Sequence, residues 1–210
     1  MKRIALTSSL GLLIAFSMSA QEVPPFTFNI GAGFTNPVGN TGRHLDTGWN
    51  IGAGAGYNFN SVFAVKAEFQ YNDFGINGAT LANIGVPDGS VRLWSLTLNP
   101  VVHLNPHRGP VDVYVTGGGG LYHRTQEFTA PTVATVTGFD PWLGYFFPVN
   151  IAANQVLSSY TVNKPGFNAG MGLSFGTKWN AKFYAEARYH RMFIGDFHTD
   201  FLPVTFGIRF

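Results

Sequence analysis

The chain contains no cysteine. That excludes disulfides even on an oxidising export route, and it excludes a lipid anchor attached through an N-terminal cysteine. Charge is scarce too: Asp, Glu, Lys and Arg make up 11% of the residues, against about 25% in ordinary soluble domains. Beyond the first 20 residues no apolar run approaches the length of a transmembrane helix, which takes about 20 residues. What is abundant is Phe, with 20 copies, and Gly, with 26. Inside lipid, backbone groups must bond to one another, which leaves the helix or the closed barrel. With the helix excluded, the composition points to a membrane-spanning sheet.

The start of the chain has the layout of a targeting segment. Lys2 and Arg3 form a positive end, Ile4 to Phe16 is largely apolar, and Ser17-Met18-Ser19-Ala20 supplies small residues before Gln21. Residues 1–20 are expected to be a cleaved secretory signal peptide, with the cut after Ala20 or Ser19, and 21–210 the mature domain. The formal charge of +2 comes from 13 basic and 11 acidic residues. Removing Lys2 and Arg3 leaves 11 of each, so nothing in the charge calls for a nucleic-acid partner.

Period-two alternation dominates from residue 26 onward. Phe26, Phe28, Ile30, Ala32 and Phe34 share one face, against Thr27, Asn29, Gly31, Gly33 and Thr35. The same pattern fills 48–58, 62–72, 92–104, 111–124, 167–177, 183–190 and 202–210, giving eight strands. Pro100 interrupts the fourth, and Gly117–Gly120 leave the fifth without a pattern; the glycines suit a bend or close backbone approach rather than a phosphate loop. Connections alternate between short (58–61, 105–109, 178–181) and long (36–47, 73–90, 125–166, 191–201). The expected fold is therefore all-β: an eight-stranded antiparallel up-and-down transmembrane β-barrel with short periplasmic turns and long outer loops.

The apolar face carries aromatics at strand ends and small or aliphatic residues between them. Trp49 and Tyr57 bracket Ala53, and Phe167 and Phe175 bracket Met171, as expected of two interfacial girdles. A soluble ligand-binding barrel would turn this face inward. It would then show water a surface of Gly, Asn, Ser and Thr, which solubilises poorly.

The last residues, Val204-Thr205-Phe206-Gly207-Ile208-Arg209-Phe210, alternate apolar positions and end on an aromatic residue. Together with Phe183-Tyr184-Ala185-Glu186-Ala187-Arg188-Tyr189 they resemble the closing strands of the small outer-membrane β-barrel family, the porin-like group that includes the transmembrane domain of outer-membrane protein A. The resemblance spans roughly residues 22–210. It implies a bacterial outer-membrane location in a Gram-negative cell, periplasmic chaperones, and recognition of Val204, Phe206, Ile208 and Phe210 by the barrel assembly machinery. It implies no single activity, because this fold carries several. The chain ends on the eighth strand, so no peptidoglycan-binding domain is expected after it.

Charges on the inward face are Lys66, Glu68, Asp112, Glu186, Arg188 and Arg209. The lumen of such a barrel is about one side chain wide, so Glu68–Arg188 and Lys66–Glu186 pairs across it are expected. Such a network is either a structural core or the gate of a narrow pore. Loop three, at 125–166, is the most individual segment, with Trp142, Tyr145, Phe146 and Phe147 as contact candidates for a partner, for lipopolysaccharide or for the barrel mouth. His190, His198, Asp196, Asp200 and His123 fall near outer loops, but no paired nucleophile marks a catalytic site. Asp196, His198 and Asp200 read better as a solvated loop than as cation ligands, and His103 and His107 have no ligand logic across a strand end and turn. No metal, cofactor or catalytic residue is therefore expected.

The leading expectation is a non-enzymatic integral outer-membrane barrel with a structural or surface-interaction role, set in lipid and lipopolysaccharide, with an unidentified surface ligand. The alternative is a narrow porin passing small solutes or ions through its charged lumen. An outer-membrane lipid-modifying enzyme stands third.

Overall fold

The computed structural model describes residues 24–105, 111–176 and 181–210. The proposed signal peptide, His107 and most of two expected short turns lie outside those residues. Eight antiparallel strands close into one ring. They are β1 (Phe26–Pro37), β2 (Gly48–Asn58), β3 (Phe63–Gly75), β4 (Asp88–His103), β5 (Val111–Asp140), β6 (Tyr145–Gly176), β7 (Lys182–Ile194) and β8 (Phe197–Arg209). Each pairs with its neighbours in sequence, and β1 closes on β8, with Ile30 opposite Ile208 and Phe34 opposite Val204. Closure leaves the barrel wall no free edge, which is what lipid demands of a sheet.

The period-two faces sort as the alternation requires. Phe28, Ile30, Leu96, Leu98, Met171 and Phe206 point outward and are each more than half exposed. Aromatic pairs mark both rims of this belt: Phe26 against Tyr57 at 5.4 Å on the side of the chain ends, Trp49 against Tyr71 at 5.4 Å on the other. An exposed belt of aliphatics between aromatic girdles is the signature of a lipid-facing wall. The polar face turns inward, where Asn50, Asn72, Asn99, Ser95 and Asn168 are buried.

The structure differs from the sequence-based expectation in three respects. Loop three is no irregular loop: β5 and β6 continue far beyond the barrel as a ribbon, pairing residue by residue from Glu127–Ser159 up to Asp140–Tyr145. β5 parts from β4 after Thr129 and β6 parts from β7 above Gly166. A register shift at Phe128/Thr129 falls where β5 leaves the wall, as expected of a bulge that bends a strand away. Loop two holds a short helix, α1 (Gly78–Ile84), with the Asn77 side chain accepting from Ala79 N–H at 2.9 Å and Gly85 closing it in the left-handed region, at φ +69°. Finally, β3, β4, β7 and β8 climb further than the polar pattern indicated, and Phe74, Val91, Met192 and Phe201 at their added inward positions are apolar.

Gly117–Gly120 are strand residues of β5. A Cβ on Gly118 or Gly120 would collide with the carbonyl oxygens of Leu98 or Leu96 on β4. The glycines let two walls approach closely near Pro100, whose carbonyl accepts from the Thr116 hydroxyl at 3.0 Å.

Candidate functional site

The lumen is built in layers. Nearest the chain ends lies a vestibule of about 290 Å³, lined among others by Asn58, Lys66, His103, Asp112, Lys182 and Arg209. Here Asp112 contacts His103 Nδ1 at 2.7 Å and accepts from Ser174 at 3.1 Å. Asp112 thus stands apart from the other predicted lumen charges. Arg209 stacks over Tyr114 at 4.7 Å and over Tyr184 at 5.5 Å, rather than pairing with a carboxylate among the described residues.

Above the vestibule, four charges meet. Arg188 Nη2 lies 2.7 Å from Glu68 Oε2, and its Nε lies 2.7 Å from Glu186 Oε1. Lys66 Nζ sits 3.0 Å from Glu68 and 3.3 Å from Glu186. The Tyr114 hydroxyl donates to Glu186 at 2.9 Å. All four ionic side chains are nearly inaccessible, and each carboxylate touches both cations. Burying charge this deeply is tolerable only with such pairing and hydrogen bonding. Tyr114 was legible as an inward residue, but nothing in the spacing marked it as part of the cluster.

The lumen glycines are filled by their neighbours. A Cβ on Gly172 would strike the Tyr114 ring, one on Gly170 the Arg188 side chain, and one on Gly31 the Tyr184 hydroxyl. Higher up, Thr35, Asn50, Asn72 and Thr205 form a hydrogen-bonded layer with contacts of 2.8 to 3.1 Å.

The next layer is an apolar plug that the sequence reading missed. Phe74, Val91, Leu93, Tyr122, Met192 and Phe201 pack together across the lumen, joined by Ile76 and by Leu81 of α1. Phe201 packs edge-on to Phe74 at 5.9 Å and stacks on His190 at 4.9 Å. The signal was present: Phe74 and Ile76 continue the Asn72 face, and Met192 continues that of His190. Asp73 and Gly75 between them have the look of a loop.

His190, the last inward residue of the expected seventh strand, lies under this plug; it is 1% exposed and contacts the Tyr122 hydroxyl at 3.0 Å. His198 lies 3.3 Å from Asp200, whose carboxylate is gripped by Arg191 at 2.8 and 3.0 Å. His123 stacks on Trp94 at 4.7 Å. These histidines are scattered, and among the described residues no three His, Cys, Asp or Glu side chains form a metal-binding group.

Outside the lumen, the ribbon ends in Pro141-Trp142-Leu143-Gly144, with Trp142 94% exposed. Tyr145, Phe146 and Phe147 open β6, and Phe146 lies 4.9 Å from Phe139 across the ribbon. Between Phe128 and Asn163 the sole charged residue is Asp140.

The profile of the outer membrane protein beta-barrel domain matches residues 8–210. The chain belongs to this family. It is a bacterial outer-membrane barrel. Among solved structures it is similar to Neisserial surface protein A, at 14% identity and a TM-score of 0.57, over 88% of this chain and 96% of that one. It is also similar to Ail, the attachment invasion locus protein of Yersinia pestis, in complex with the heparin analogue sucrose octasulfate, at 21% identity and 0.50, over 88% and 97%. A major outer membrane protein from Thermus thermophilus matches at 11% identity and 0.52, over 88% and 97%. At these identities the likeness is one of fold. No curated protein sequence matches the chain. Within the barrel, Val204, Phe206 and Ile208 lie on the outward face of β8, and Phe210 exchanges backbone hydrogen bonds with Phe28 at 3.0 and 2.8 Å.

Proposed function

We propose that this protein is a closed, non-enzymatic barrel that anchors the β5–β6 ribbon and holds it out from the cell for contact with a surface partner. The observation that carries this reading is the contrast between a lumen filled at two levels, by ions and by an apolar plug, and a ribbon that leaves the wall altogether. Its free part pairs 130–140 with 145–155, about 35 Å at ~3.3 Å per residue. An isolated two-stranded ribbon is marginal in water, so an exposed apolar tip of this kind is suited to a contact. Neisserial surface protein A carries a surface role in its name, and Ail was captured with a sulfated sugar; both support a surface reading without assigning a ligand here.

In the membrane, lipid and lipopolysaccharide surround the aromatic belt. Periplasmic chaperones and the assembly machinery deliver the chain, reading Val204, Phe206, Ile208 and Phe210 on the last strand. Planar-bilayer conductance of the refolded barrel tests the reading, with the heat-modifiable gel shift as folding control. A folded, silent barrel supports it. Discrete openings would make the protein a narrow porin and overturn it.

A further inference from the structure

A second cavity, of about 540 Å³, opens at the outer mouth above the plug. That volume is in the range of small-molecule sites. Leu45, Ile76, Val91, Phe128 and Phe197 give it an apolar surface, interrupted by polar side chains such as Thr41, Thr80, Gln126 and Thr199. Its charged lining is two arginines, Arg43 from the connection between β1 and β2 and Arg124 from β5, beside His44 and His198; among the described residues no Asp or Glu lines it.

Among the described residues, neither Arg43 nor Arg124 takes part in an ion pair. Arg124 is half-buried; its Nη1 donates to Thr199 at 3.0 Å, and its Nε is buried with no hydrogen-bond partner. The nearby Asp200 is already held by Arg191. A partly desolvated guanidinium without a counter-charge favours an incoming anion, and its planar fork suits carboxylate or phosphate.

We infer that this cup binds a small soluble amphipathic anion, a carboxylate or phosphate carrying an apolar group of about one ring. The head lies against Arg124 and Arg43, and the apolar group rests on Ile76, Val91 and Phe128. The lining comes from the β1–β2 connection and from strand ends above the plug, so the ligand in this proposal arrives from outside the cell. The cup touches the ribbon only at its root, through Phe128, and its failure would leave the surface-contact reading of the distant tip untouched.

Calorimetric titration of the full barrel in nanodiscs tests this, with empty nanodiscs subtracting partition into lipid. Phenyl phosphate is the probe, and inorganic phosphate and phenol are the half-ligands. Saturable one-to-one binding of phenyl phosphate is expected, at least about tenfold tighter than either half-ligand, a difference of about 1.4 kcal/mol. Arg124→Gln should weaken it by about tenfold or more, the range for a desolvated charge pair that loses one partner. Arg43→Gln, at an exposed position outside the strands, should also weaken it and serves if Arg124→Gln fails the gel-shift folding control. Absence of saturable binding, equal binding of inorganic phosphate, or unchanged affinity in folded variants would overturn the proposal.

Discussion

Arg188 on β7 reaches across the lumen to Glu68 on β3, at 2.7 Å, while its Nε holds Glu186 on its own strand at the same distance. The two strands are not neighbours in the ring, so this contact ties opposite walls. Removing Arg188 leaves Glu68 and Glu186 buried together with Lys66 alone between them. Breaking one partner of a buried pair costs about 3–5 kcal/mol. Arg188→Ala is therefore expected to destabilise the folded barrel by roughly 3 kcal/mol, read by urea unfolding in detergent. A change below about 0.5 kcal/mol, the range of an ordinary surface substitution, would show that the cluster does not hold the walls together.

The ion layer and the apolar plug block the lumen independently, and this makes a prediction about current. Phe201 is fully buried at the centre of the plug. Phe201→Ala should leave the barrel silent in planar bilayers, because the ion layer below remains. Arg188→Ala should also be silent, because the plug remains above. Openings should appear only in a variant that also thins the polar layer between them, adding Asn72→Ala to both changes. Current through either single variant would mean that one layer alone closes the path.

The wall was legible in the sequence because lipid outside and a packed lumen inside impose strict alternation. A break in that rhythm, as at Asn58–Ser61, marks a turn. The transverse ion pairs were legible too, since opposite charges on inward faces of a narrow barrel have few partners to choose from. Legibility failed where the environment changes along a strand. Above the aromatic rim no lipid enforces an apolar outer face, so Asp73 and Gly75 can interrupt the pattern while Phe74 and Ile76 still face inward. The ribbon was missed for a related reason: with neither lipid nor lumen beside it, its Thr, Val, Ala and Phe residues alternate in no consistent sense. Its pairing rests on the partner strand, which a single segment does not reveal.

Gly172 and Tyr114 should behave as a coupled pair. The Tyr114 ring occupies the space over Gly172 and directs its hydroxyl to Glu186. Gly172→Val should destabilise the barrel by about 1–3 kcal/mol through overpacking. In a Tyr114→Ala background the same change should be nearly harmless, because the new side chain enters vacated space. Unfolding of the four members of this double-mutant cycle measures the coupling. Additive effects would show that the lumen glycines serve something other than room for their aromatic neighbours.

The ribbon tip should be exposed on intact cells and dispensable for folding. Trp142 is 94% exposed, in the turn at the far end of the ribbon from the wall. Trp142→Ala should therefore change stability by no more than about 0.5 kcal/mol, the range for a surface position. Because the chain has no cysteine, Leu143→Cys introduces a single reporter. It should react with a membrane-impermeant maleimide on whole cells, while Lys182→Cys, at the start of β7 on the opposite end of the barrel, should react only after the outer membrane is opened. Equal protection of both sites would mean that the tip folds back against the barrel or is covered by another molecule. Reaction at Lys182→Cys alone would invert the barrel, and with it the assignment of the ribbon to the cell exterior.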